Sequence, residues 1–378
     1  MTLRSIFAII AIGFVIGCSD DTDSDASTDD TGTGSDIEAN DAETEPGDTS
    51  TGADVDAEPD WSCNVVQPSP YPNSPYVGSH ANASNNDFIP CTTADAFEQA
   101  WEALPLRAII QPNTFSPDGA TTYVTTSNPE PDGCTVYALN IASGDEDWCR
   151  FFPGAVSSSV EVDEDGALYV AADGVLASLD DTGEDRWLLP LKRADDSDDN
   201  AIGLHFDPAT GHIVTITQAG RVLAVERSDG TVVAELSLPE ETGFEPPAGV
   251  TAGLDLDALA PPEVSADFDR LFGEGVGTSF LGAFFGASGD FSDNTISVGQ
   301  SGDLYIVGGG PDPERGSLIQ VLYDGQELSI GWILITRGGS AASPSVSPDG
   351  TMLTVGDGVV GLTDPNPPVP RLLIVDLQ

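Results

Sequence analysis

Asp196, Asp198, Asn200 and Asp207 fall at positions 1, 3, 5 and 12 of the stretch DSDDNAIGLHFD. That is the oxygen-donor spacing of a calcium-binding loop. Two departures weaken the match: Ala201 stands where the loop needs a glycine, and the last donor is an aspartate, not a bidentate glutamate. The preferred reading is therefore an acidic, solvated loop between strands, with calcium as the alternative, and no cofactor is predicted. The three histidines, His80, His205 and His212, show no zinc-type spacing, and no Gly-x-Ser-x-Gly elbow is present. His205 and His212 flank a predicted turn and read as strand-end surface residues. No catalytic residue is assigned.

The five cysteines separate into two groups. Cys18 follows an apolar run from Ile6 to Ile16, with Arg4 before it. The run is shorter than the roughly 20 residues a membrane span needs, and it fits the apolar region of a secretory signal. Its end, VIGC, resembles the bacterial lipobox. The resemblance implies that residues 1–17 are removed and that Cys18 carries lipid, a stable anchor when several acyl chains act together. Export then makes disulfides of the remaining four cysteines, Cys63, Cys91, Cys134 and Cys149, with three pairings open. Cys63–Cys91 with Cys134–Cys149 is preferred. The second pair flanks one hairpin, and the expected register puts its members on one face, one diagonal step apart.

Residues 19–60 hold 16 of the chain's 63 acidic residues and no Lys or Arg. Such a stretch cannot bury enough apolar surface to offset ordering entropy, so 18–60 reads as a lipidated, self-repelling tether. The rest is acidic as well: the whole chain has 12 basic residues and a formal charge of −51. Nucleic acid is excluded as a partner, since phosphate binding needs a basic footprint.

The elements that would position any site are short strands in repeating groups. VYALNIASGDEDWCRFF (136–152) reads as strand, glycine turn and tryptophan-bearing strand. VLASLDDTGEDRWLLPL repeats it, with Trp187 39 residues after Trp148. Weaker copies pass through Gly230, with Ala234 where a tryptophan would stand, and through Gly325 and Trp332. Four short antiparallel strands per roughly 40–45 residues is the pattern of propeller blades. YALNIASGDEDW and ASLDDTGEDRW resemble the repeat of PQQ-type (quinoprotein-like) β-propellers, and FSPDGATTYV and VSPDGTMLTV resemble strand entries of TolB- and WD40-like blades. The expected fold is an all-β propeller of five or six four-stranded blades over 108–378, with a small helical insertion at 240–290. Trp148, Trp187 and Trp332, with Gly144, Gly183 and Gly230, read as blade-docking residues. The resemblance does not extend to quinone binding: no two cysteines are adjacent, and too few repeats are legible.

Three further expectations concern the segments around the blades. Residues 61–107 form a closure and disulfide segment, with a helix over 92–106 that puts Phe97, Trp101 and Leu104 on one stripe. PDWSCNVV resembles EDWCRFF, so Trp61–Val66 is a candidate for the outer strand that the last blade lacks. In the insertion, Phe268, Leu271, Phe272, Phe280, Leu281, Phe284 and Phe285 form a candidate partner patch. Together these features point to a non-catalytic, lipid-anchored scaffold or binding module of the bacterial cell envelope, with the outer membrane favoured and an envelope protein as partner. The closest analogy is with the lipoprotein propellers that scaffold β-barrel insertion, and it rests on fold and anchor alone. The alternative is a lactonase-like hydrolase with a divalent metal held by carboxylates on the propeller axis.

Overall fold

The computed structural model describes residues 66–74, 76–89, 99–105, 107, 109, 111–126, 133–152, 156, 158–172, 174–246, 290–292, 294–338, 342–357 and 371–378. Cys18, Cys63, Cys91 and the seven apolar residues of the insertion lie outside them, as do Trp61–Asn64 and Val65 of the expected outer strand. The described part of the chain is a β-propeller of five antiparallel sheets.

Blade one is built from β1 (Thr114–Phe115), β2 (Thr121–Thr125), β3 (Val136–Asn140) and β4 (Glu146–Arg150). Blade two has β5 (Glu161–Val162), β6 (Leu168–Ala172), β7 (Val175–Leu179) and β8 (Asp185–Pro190). Blade three has β9 (Ala201–Phe206), β10 (Ile213–Thr217), β11 (Arg221–Val225) and β12 (Val232–Ser237). Blade four has β13 (Ser297–Val298), β14 (Leu304–Gly308), β15 (Ser317–Tyr323) and β16 (Leu328–Ile335). Blade five shows only β17 (Ser345–Val346), β18 (Met352–Asp357) and β19 (Arg371–Asp376). In every blade the strands pair in chain order.

The sequence explains this layering. Middle strands such as LYVAA and VLASL are nearly continuous apolar runs because both faces are covered by neighbouring blades. Outer strands such as DRWLLP are mostly exposed. The hydrophobic core accordingly lies in slabs between adjacent blades. Tyr123 and Ala138 of blade one meet Leu168, Val170 and Ala177 of blade two. Further slabs join blades two and three, three and four, and four and five.

Two helix expectations meet the structure. The one helix among the described residues is α1 (Leu238–Thr242), capped by Ser237 and ended by Gly243 in the left-handed conformation. Residues 99–105, the described part of the expected 92–106 helix, are not helical. The physical reason is that the Trp101 indole is committed to blade one, where its N–H donates to the Ile141 carbonyl at 2.7 Å. The disulfide Cys134–Cys149 is formed, with Cα atoms 5.7 Å apart. Its geometry differs from the diagonal expected: Cys149 lies opposite Tyr137, and Cys134 sits before β3 begins, with its carbonyl accepting from the Tyr137 hydroxyl.

Candidate functional site

Blade-to-blade docking is carried by one row of residues per sheet. In blade two the row runs Glu161, Tyr169, Ser178, Trp187, each directly opposite the next. In blade one it runs Thr114, Tyr123, Ala138, Trp148. The tyrosine and tryptophan of a row face each other across the intervening strand, with ring centroids 6.1 Å apart in blades one, two and four. Blade three has Val214 and Ala234 in these places.

Each outer tryptophan then reaches the next blade. The Trp148 N–H donates to the Asp181 carbonyl and the Trp187 N–H to the Arg227 carbonyl, both at 2.8 Å. The rings lie against Gly183 and Gly230, where an added Cβ would come within 2.7 Å of them. These glycines also hold φ of +83° and +75°, so the turn requires glycine on two counts. Asn140 and Asp180 tie the turns down by accepting from the amides of Ala142 and Thr182. Gly144 is covered in the same way by Trp101. Trp332 faces Tyr305 and packs into the slab between blades four and five.

The inner end of each row points to the axis, and there the structure holds what the sequence concealed. Residues 66–89 thread the axis and bind the innermost strand of all five blades. Phe115 of blade one donates its N–H to the Tyr76 carbonyl, and Val162 of blade two to that of Val77. Phe206 of blade three donates to the Tyr71 hydroxyl at 2.9 Å. Val298 of blade four and Val346 of blade five donate to the carbonyls of Ala83 and Ser84. The hub is strained: His80, Ala81, Asn85 and Asp87 all take positive φ, which non-glycine residues hold only where their surroundings fix them. His80 is bound to Asp87 at 3.1 Å.

At the centre stand Tyr71, Asn85, Glu161 and His205, all buried, with His205 fully so. His205 is thus an interior residue, not the surface residue its strand-end position suggested. Residues distant in sequence cover it. The Tyr71 hydroxyl donates to Glu161 Oε1 at 2.8 Å, and His205 Nδ1 lies 3.3 Å from the same oxygen. The Asn85 amide nitrogen donates to the Ile296 and Pro344 carbonyls, which fixes its oxygen toward His205 Nε2 at 2.9 Å. With the Asn85 oxygen as its partner, His205 Nε2 is the donor, and Nδ1 faces both Glu161 Oε1 and the Tyr71 hydroxyl. Burial raises the Glu161 carboxyl above the ordinary glutamate value, while His205 and Tyr71 pull it back. Burial, reinforced by the Glu161 charge, pushes the Tyr71 phenol well above its own ordinary value. Chemically the arrangement is a closed network: every polar group named has its partner within the protein.

The other sequence-derived residues are dispersed. Asp198 is exposed and paired with Lys192. Asn200 accepts from the Gly174 amide and donates to Gln218. Asp207 is buried beyond the far end of β9, accepting from Thr210. Asp196 lies in a turn with φ of +69°. The structure does not bring the four together. His212 contacts Tyr323 and Glu226, apart from His205. Among the described residues no group of three His, Cys, Asp or Glu is placed to hold a metal.

A family model matches part of the chain. Residues 92–246 match the family model described as "Outer membrane protein assembly factor BamB" (PQQ_2). No curated protein matches. Among solved structures, one titled "Structure of Dos1 propeller" aligns at 12% identity and a TM-score of 0.39, covering 65% of this chain and 54% of that one. This chain therefore spans about half the length of that structure.

Proposed function

We propose that this chain, which carries a PQQ-like β-propeller, is a binding scaffold of the bacterial cell envelope. In this reading Cys18 bears the lipid, the acidic stretch 19–60 is the tether, and the outside of the blades meets a protein partner. The observation that carries the reading is the hub. A propeller ordinarily surrounds a central channel, and here residues 66–89 occupy that space and bind all five inner strands. The carboxylate, imidazole and amide that a channel-mouth metal site would use are bonded to one another. Recognition then falls to the outer surface. The family match over 92–246, whose description is of an assembly factor, supports the same direction.

Affinity capture from detergent-solubilised envelopes tests this, with full-length tagged chain beside a variant lacking residues 264–290. The expected result is an envelope protein retained by the full chain, insensitive to chelator and lost with the deletion. Capture of no protein by the full chain would contradict the scaffold reading.

A further inference from the structure

The docking tryptophans keep a fixed distance from the strand that follows. Trp148 stands 13 residues before Glu161 of β5, Trp332 13 before Ser345 of β17, and Trp187 14 before Ala201 of β9. Trp101 stands 13 residues before Thr114 of β1. Its contacts match as well. The indole N–H donates to a carbonyl of the turn after β3 at 2.7 Å, and a Cβ on Gly144 would meet its ring at 2.7 Å. Ala103 and Leu104 pack on Val124, Tyr137 and Leu139 of blade one. Residues 99–104 thus stand toward blade one as β4 stands toward blade two.

Blade five is the last sheet in chain order, the one that closing the ring sets before blade one, and its outer strand is missing among the described residues. The consequence is visible on β19. The third strands of blades one, two and three are almost wholly buried. On β19, Leu372 is 68% and Ile374 63% exposed. The row of blade five runs Ser345, Thr354, Ile374 and stops where the other rows reach tryptophan. No backbone hydrogen bond among the described residues joins 99–105 to β19.

We propose that residues 99–103, which end at Leu104 with its φ of +52°, are a closing strand poised over blade one, whose seat is the edge of β19 left open among the described residues, with Trp101 opposite Ile374. Antiparallel pairing in that register sets Ala103 against Leu372 and Gln99 against Asp376. Side-chain alternation agrees: Trp101 and Ala103 face blade one, on the side that Leu372 and Ile374 leave exposed. Pairing covers both residues and removes an open edge, which a free strand otherwise offers to other chains. One N-terminal segment would then fill the axis with residues 66–89 and lock the rim with 99–103. The seat first assigned on sequence to Trp61–Val66 passes to Trp101.

Cysteine pairs in the full chain test the register. Gln99 and Asp376 are both exposed, so Gln99→Cys with Asp376→Cys leaves the core untouched. Ala103→Cys with Leu372→Cys is the second in-register pair. Gln99→Cys with Leu372→Cys and Ala103→Cys with Asp376→Cys are out of register. Directly opposed residues come within disulfide reach, and the offset pairs do not. After mild oxidation and proteolysis, linked peptides are quantified by mass spectrometry, with the Cys134–Cys149 peptide as the internal standard of folding. The expected result is an intramolecular link in the in-register pairs at least tenfold above the offset pairs. Equal yields, no link, or a covalent dimer in place of an intramolecular link would each overturn the proposal, the last by giving the edge to a second copy.

Discussion

Gly78→Ala is expected to destabilise the propeller by about 3–5 kcal/mol, a large effect of the kind that follows from breaking a buried hydrogen-bonded network. That corresponds to a fall in melting temperature of roughly 6–12 °C at the low end of the range. The reason is local. Gly78 is buried in the hub, and a Cβ there would overlap the Glu161 carboxylate. The carboxylate has nowhere to retreat, being held by Tyr71 and His205 inside the ring. Gly119 is the control. It also resists a side chain, with φ of +70°, but nothing lies within 4 Å of its missing Cβ. Gly119→Ala is expected to cost only about 1 kcal/mol. A Gly78→Ala melt no lower than that of Gly119→Ala would contradict the seating of the hub. The same carboxyl leaves a pH signature. A folded-state value raised above the unfolded one contributes stability fully below the unfolded value and loses it as pH rises through the folded one. Glu161→Gln keeps an oxygen to accept from Tyr71 but cannot titrate. Wild type should therefore lose stability relative to this variant as pH rises through and above the ordinary glutamate range. A difference that grows in favour of wild type over that range would reverse the sign and contradict the assignment.

Trp187→Ala is expected to cost about 3–5 kcal/mol, the range for removing a buried aromatic side chain. Trp187 is the most buried of the docking tryptophans, in the slab between blades two and three, and its N–H satisfies the Arg227 carbonyl. The substitution leaves a void over Gly230 and an unbonded carbonyl. Gly230→Ala strikes the same contact from the other side, with the added strain of a φ of +75°. Since both remove one interaction, the double variant should be less destabilised than the sum of the two singles. Urea melts of the four proteins check this. A Trp187→Ala cost below about 1 kcal/mol would mean that the slab does not depend on the tryptophan.

What sequence reveals here is what local repetition encodes. Asn140, Gly144 and Trp148, then Asp180, Gly183 and Trp187, lie within a few residues of one another, and the physics of the turn dictates their types. The blades, the propeller and the hairpin disulfide Cys134–Cys149 follow from such short patterns. The hub does not. Residues 66–89 are rich in Pro, Ser and Asn, with no period of 2 or 3.6, because their partners are single strands spread around a ring. Asn85 bonds residues 211 and 259 positions away, and no pattern of neighbours anticipates that. His205 was misread for the same reason: its strand-end position is local, while its burial comes from Tyr71 and Asn85. The stripe of Phe97, Trp101 and Leu104 has helical spacing, yet residues 99–105 are not helical and Trp101 docks on blade one. The signal that separates the two readings is the recurring 13-residue step from docking tryptophan to the next inner strand.

The segment 66–89 is an integral axle of the ring, bonded to the inner strand of every blade. Amide hydrogen exchange of the full chain, read peptide by peptide, tests that most directly. The amides of Val162, Val298 and Val346, which donate to hub carbonyls, should exchange as slowly as the middle strands β6 and β10, and peptides covering 76–86 should share that global protection. Exchange of 76–86 within seconds, while the middle strands stay protected, would show the axis open and contradict the account.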